Sequence, residues 1–270
     1  MFSKFKLNAT RNIEHYLNNY YDAGLTQKSD DNSIIKKKIQ KHIDYNSGII
    51  DGNGLERELF NEIDADIFLS HSHNDEKLVV SIAGWLKEEM NLKAFIDSAV
   101  WDYVNDILSE INNRYNVIKK LEDGTNVYNY TKVNYVASHL YLMLNSALNN
   151  MINKTECLFF INTPNSVFLM NNDEMEGQTL SPWIYSELVM ANTMRKTEPQ
   201  RYTVLEKSMT YNFKSNEKVI IAHNLDFSDF INIDMTILDI WQKEKNANEH
   251  SLDTLYKIVS QGTYVDKDKV

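Results

Sequence analysis

The chain has 270 residues, 43% of them hydrophobic and including 15 Tyr, 11 Phe and 4 Trp, which is ample for a buried core in one large domain or one domain with an appendage. A formal charge of −10 and a pI near 5.2 argue against a dedicated nucleic-acid binder, whose phosphate contacts need a basic surface. The single cysteine, Cys157, allows no intramolecular disulfide, Met1–Leu7 lack the apolar run of a signal peptide, and no stretch approaches the roughly 18 apolar residues of a membrane span. These features read as a cytoplasmic protein.

Residues 1–60 read as a separate, helical appendage. Leu7, Ile13, Leu17, Tyr20 and Tyr21 recur at helical spacing, as do Ile35, Ile39 and Ile43 after a polar break, and Lys36-Lys37-Lys38 fits a solvated face. Asp51-Gly52-Asn53-Gly54 marks the clearest boundary.

From residue 61 onward the rhythm changes to short apolar runs alternating with helical patterns. Ile67-Phe68-Leu69 is followed by the helical set Leu78, Val79, Ile82, Ala83, Leu86, with Asn74 as its expected cap. Ala94-Phe95-Ile96 gives a second strand and Cys157–Ile161 a third. Between them lie a helix near Tyr103–Tyr115 and a longer one near Tyr135–Ile152, so that residues around 98–155 form an insertion; residues 98–130, with little apolar period, suggest a mobile lid. Val219–Ala222 predicts another buried strand, and helices follow around Ile237–Lys245 and Leu252–Val259. Short apolar strands separated by helices imply a parallel sheet covered on both faces.

The chemistry concentrates where strands meet helices. Ser181-Pro182 is a good helix start, and Trp183 and Glu187, at i and i+4, lie one turn apart. An indole there can stack on a flat base while the carboxylate binds ribose hydroxyls or stabilises an oxocarbenium-like transition state; the plain alternative is a core Trp beside a solvated Glu. Ser70-His71-Ser72 follows the first strand of this region, where phosphates sit against helix amides, and competes with an ordinary capping turn. The His71-x-His73 pair has no second ligand cluster at convincing spacing, so no metal is expected. Asp97, at a strand end, can reach a ligand or cap a turn, and Trp101 and Tyr103 could line a lid or simply pack. Cys157, mid-strand, reads as inert packing. Gly-rich dinucleotide and phosphate-loop patterns are missing, which weakens hydride-transfer and kinase readings.

In order and spacing, Asp66–Ser72, Phe95-Ile96-Asp97, a buried strand and then Ser181-Pro182-Trp183 with Glu187-Leu188 resemble the bacterial Toll/interleukin-1 receptor (TIR) domain family over about residues 64–225. The resemblance implies a flavodoxin-like parallel sheet. It also implies cleavage of the nicotinamide–ribose bond of NAD⁺, with NAD⁺ as substrate and no separate cofactor, Glu187 as the catalytic carboxylate and Trp183 beside the substrate. Ser70, His71, Ser72, Asp97, Trp101 and Tyr103 are then candidate substrate contacts. The products implied are nicotinamide with ADP-ribose or a cyclic ADP-ribose signal, in antiphage defence, with self-association through the TIR domain and a downstream effector sensing the product. A non-enzymatic scaffold is the rival, although a scaffold needs neither Trp183 nor Glu187. Ser98-Ala99-Val100-Trp101 departs from the Arg-Asp…Pro-Gly pattern of receptor members, which counts against receptor-style docking there.

Overall fold

The computed structural model describes residues 1–44, 47–167, 177–199 and 223–260. The protein is built on a five-stranded parallel sheet of β1 (Ser3–Asn8), β2 (Ile67–Ser70), β3 (Ala94–Ile96), β4 (Cys157–Asn162) and β5 (Ile231–Ile233), in the order β5-β1-β4-β2-β3. The helices are α1 (Arg11–Leu17), α2 (Tyr21–His42), α3 (Gly52–Glu58), α4 (Glu76–Met90), α5 (Ser98–Tyr115), α6 (Tyr130–Lys154), α7 (Pro182–Thr193), α8 (Met235–Glu244) and α9 (Ser251–Ser260). Alternate side chains of the strands feed two cores, as the period of two demands. Phe5, Leu7, Ile67, Leu69, Phe159 and Ile161 face α1, α4, α8 and α9. Phe68, Phe95, Leu158 and Phe160 face α3, α5, α6, α7 and the second half of α2. This is an α/β fold consistent with a flavodoxin-like sheet.

The expected appendage over residues 1–60 is not separate. Residues 3–8 form an interior strand, with Phe5 paired to Phe159 on one side and to Ile231 on the other. Leu7, read as helical, is fully buried in the sheet, and Ile13 and Leu17 of α1 join the same core. At the crossing of α2 and α4, Gly24 lies against the main chain of Val80 and Gly84 against that of Tyr20, so a Cβ at either would strike backbone. The expected boundary at Asp51–Gly54 instead opens α3, where the Asp51 carboxylate accepts the Gly54 N–H at 2.9 Å and Leu55 and Leu59 enter the core.

Two further expectations change. Residues 98–115 are a helix with Val100, Val104, Ile107 and Ile111 buried at spacings of four and three, not a loose lid. The rest of the insertion is an antiparallel ribbon, Val117–Lys120 with Asn126–Tyr128, leading into α6. Asn74 does not cap α4: residues His73–Asp75 form a 3₁₀ turn and Asp75 holds the N-cap place, its carboxylate turned to other partners. The expected strand Val219–Ala222 lies outside the described residues, and β5 was not foreseen. Among the described residues no helix is long and apolar enough to cross a membrane.

The topology fixes where a ligand can sit. The chain leaves β2 toward β3 on one side of the sheet and leaves β4 toward β5 on the other, which opens a crevice at the carboxyl ends of β2 and β4.

Candidate active site

Two strand ends and one helix supply the site. Ser70 ends β2, His71 follows it, and Asp97 follows β3. Glu187 comes from α7, whose start is as its sequence dictates: the Ser181 hydroxyl accepts the Ile184 N–H at 3.3 Å and Pro182 occupies the first turn. Ile184, Leu188 and Ala191 bury one stripe of α7 in the core and so fix the rotation that turns Glu187 inward.

Glu187 is only 2% exposed. The Ser70 hydroxyl donates to its Oε2 at 2.6 Å, while Oε1 has no hydrogen-bond donor among the described residues. Burial is the main cause that holds the Glu187 carboxyl well above the usual carboxylate range; the neighbouring Asp97 charge pushes the same way and Ser70 opposes it. Burial and the adjacent Asp97 carboxyl thus both favour the protonated form of Glu187.

His71 steadies Asp97. Its Nδ1 lies 3.0 Å from Leu69 O and 3.1 Å from Asp97 Oδ1, so one N–H faces two acceptors. Burial pulls the His71 imidazole down, but Asp97, through charge and hydrogen bonding, and the Leu69 carbonyl outweigh it and leave the group above its ordinary value. His71 Nε2 is buried without a hydrogen-bond partner among the described residues.

A cleft of about 210 Å³ opens beside this cluster, lined by His71, His73, Asp97, Ser98, Ser181 and Trp183, with Asn105 at one side. Glu187 does not line it but abuts Asp97, which does. Trp183 is half-buried, braced by Tyr141 at 5.4 Å between ring centroids, and the Tyr141 hydroxyl donates to Asn105 Oδ1 at 3.2 Å. Beside the cluster, Asp75 accepts from the Thr163 hydroxyl at 2.5 Å and the Asn165 amide at 2.7 Å, stitching the loop after β4 to the turn after β2.

The structure thus brings together Ser70, His71, Asp97, Trp183 and Glu187. Ser72 stands apart: it starts the 3₁₀ turn, where its carbonyl accepts the Asp75 N–H, and it does not line the cleft. The side chains of Trp101 and Tyr103 lie outside the described residues. Ser98 and Asn105 were missed, and their seven-residue separation on one face of α5 was the available signal. Compared with protein-family models, with curated proteins and with solved structures, the chain matches none.

Proposed function

We propose that this chain is a TIR-type enzyme that cleaves the nicotinamide–ribose bond of NAD⁺. The observation that carries the reading is Glu187: a carboxyl sealed from water next to a cleft whose wall is an indole four residues earlier on the same helix. An acid that burial disfavours from ionising has a use when the ligand itself brings positive charge. A pyridinium ring entering the cleft lowers the cost of ionising Glu187, whose proton passes by way of Asp97 to water, and the carboxylate then stabilises the oxocarbenium that forms as nicotinamide leaves with the bonding electron pair. Water, losing a proton, or a nucleophile of the substrate's own adenine then takes C1′, giving ADP-ribose or a cyclic product for a defence signal.

At about 210 Å³ the cleft is smaller than the roughly 300–1,000 Å³ of typical ligand pockets, so it suits the nicotinamide ring and its ribose, with the diphosphate running toward the Ser70–His71 turn. One feature of the sheet differs from a flavodoxin-like order: beside β4 the next place belongs to β1, the first strand of the chain. Incubating purified protein with NAD⁺ and separating products by chromatography tests the proposal, since free nicotinamide is required by it and intact NAD⁺ at high protein concentration defeats it.

Assembly is a second reading with its own support. Ile118, Tyr130, Tyr135 and Leu142, on the ribbon and α6, are 65–78% exposed and are the apolar side chains there that a partner could cover. Light scattering on a Tyr135→Glu/Leu142→Glu variant tests whether that surface carries self-association.

A further inference from the structure

At the opposite end of the sheet, three side chains that the proposed chemistry does not use converge from distant parts of the chain. Glu156 immediately precedes β4, and His250 and Asp253 stand at the start of α9; one donor atom of each lies within 4.8 Å of the other two. We propose that Glu156, His250 and Asp253 form a divalent-cation site of the zinc or manganese class, which ties α9 to the amino end of the sheet.

The supports are rigid. The Glu156 main chain is held on both sides, its N–H donating to Asp66 O at 2.9 Å and its carbonyl accepting the Phe2 N–H at 2.5 Å. The start of α9 is pinned by the Ser251 hydroxyl on Met90 O at 2.6 Å and by the Trp241 indole on Ser251 O at 2.8 Å. The Asp253 N–H bonds to His250 O at 2.9 Å, and this turn puts imidazole and carboxylate on one side of the helix. Tyr256, one turn further, donates to Glu156 Oε1 at 2.9 Å and fixes that carboxylate in turn. Donors whose neighbours hold them in place are what a metal site requires.

The imidazole is the informative member. His250 Nδ1 is buried and has no hydrogen-bond partner among the described residues, and two carboxylates lie close enough to share an ion with the ring. Zinc binds nitrogen and oxygen donors at about 2.0–2.2 Å, which puts two donors of a tetrahedral centre about 3.4 Å apart, so side-chain rotations of about an ångström close the trio on one ion with water in the fourth place. One imidazole and two carboxylates suit zinc or manganese better than magnesium or calcium, which prefer oxygen alone. Asp66, near enough to feel the charges of both Glu156 and His250, adds to the attraction for a cation.

Such an ion is structural and lies away from the cleft. The full chain, stripped with EDTA and dialysed, should bind one zinc ion in a calorimetric titration with zinc chloride, and its melting temperature should rise by several degrees with zinc in excess. His250→Ala should weaken that binding at least about tenfold and abolish the thermal shift; Asp253→Asn, which keeps the helix start, should weaken it as well, so the test survives if the first variant folds poorly. Failure of the wild-type chain to bind zinc or manganese, or variants that bind as tightly as wild type, would overturn the proposal and leave the trio as a water-bridged helix cap. Nicotinamide release is read separately, so loss of this site and loss of the proposed NAD⁺ chemistry are told apart.

Discussion

Buried acids at the two ends of the sheet live under different terms. At the amino end, Asp31 takes the Lys93 ammonium at 2.7 Å and Asp66 takes the Lys93 backbone N–H at 2.8 Å. Burial raises both carboxyls, and in each case Lys93 works against the rise. At the carboxyl end Glu187 has a hydroxyl for a partner and a second carboxyl for a neighbour, while the histidine serves Asp97. Asp31, Asp97 and Glu187 are buried and Asp66 is half-buried, so burial alone does not mark a site. What separates them is whether the fold itself supplies the compensating charge; where it does not, a ligand is the remaining source.

The sharpest way to break this contrast is Glu187→Gln, which keeps shape and the contact with Ser70 while removing the ability to ionise. Nicotinamide release should fall at least roughly 100-fold. The fold should gain, because a neutral amide replaces an acid that resists charging; retention of more than a tenth of the activity would sink the catalytic assignment. Second, Trp183→Ala should cost about 1–3 kcal/mol in apparent substrate binding, as lost base stacking does, with Trp183→Phe milder. Equal damage from both, with lowered melting temperatures, would make Trp183 a packing residue. Third, Lys93→Met should destabilise the protein by about 1–2 kcal/mol, less than for a fully buried pair because the lysine side chain is 37% exposed, and leave nicotinamide release unchanged. Denaturant melts alongside the activity assay measure both arms.

The smallest effect is in the pH dependence. Glu187 and His71 both have raised values in the folded protein. For each, the stabilisation is complete below the unfolded value, about 4.3 for Glu and 6.5 for His, and is lost as pH rises through the folded value. Melting temperature should therefore decline from acid toward alkaline pH at this end of the sheet. Glu187→Gln should flatten the part that begins near the ordinary carboxylate range, and His71→Asn the part above the ordinary imidazole range; unchanged slopes would mean that the cluster does not titrate as its geometry requires.

The strands β2, β3 and β4 were legible because each is an uninterrupted apolar run, the pattern of a strand covered on both faces. β1 was not, although it lies deeper in the sheet than β3. Its Lys4 and Lys6 alternate with Phe5 and Leu7, a pattern that reads as surface. The structure resolves the conflict locally: the Lys4 ammonium reaches Asn192 Oδ1 at 2.7 Å and that of Lys6 sits 4.4 Å from the Phe227 ring centre, so the stems pack while the charges find partners. Truncation of residues 1–50, which an appendage would tolerate, instead removes an interior strand and the α2 side of the Gly24–Gly84 crossing. Of the candidate site, the Ser181 cap and the Trp183/Glu187 spacing were readable from local rules. The pairing of Glu187 with Ser70 and Asp97 was not, because it joins residues 117 apart in the case of Ser70 and depends on which strands are neighbours. The Glu156–His250–Asp253 trio was hidden for the same reason.

The placing of β1 also sets the order in which the molecule can be made. β1 has both its neighbours far downstream, Ser3 opposite Cys157 and Phe5 opposite Ile231. Until β4 has been synthesised those six residues have no edge to join, and until β5 arrives one of their own edges stays open. Contacts of such long sequence separation fold slowly. Nascent chains should thus hold β1 unpaired until β4 has emerged, exposed to capture by chaperones or by other open sheet edges. The crevice that cradles Glu187 is walled by β4, so it too comes into being only after that wait, and a partly made chain carries no working site.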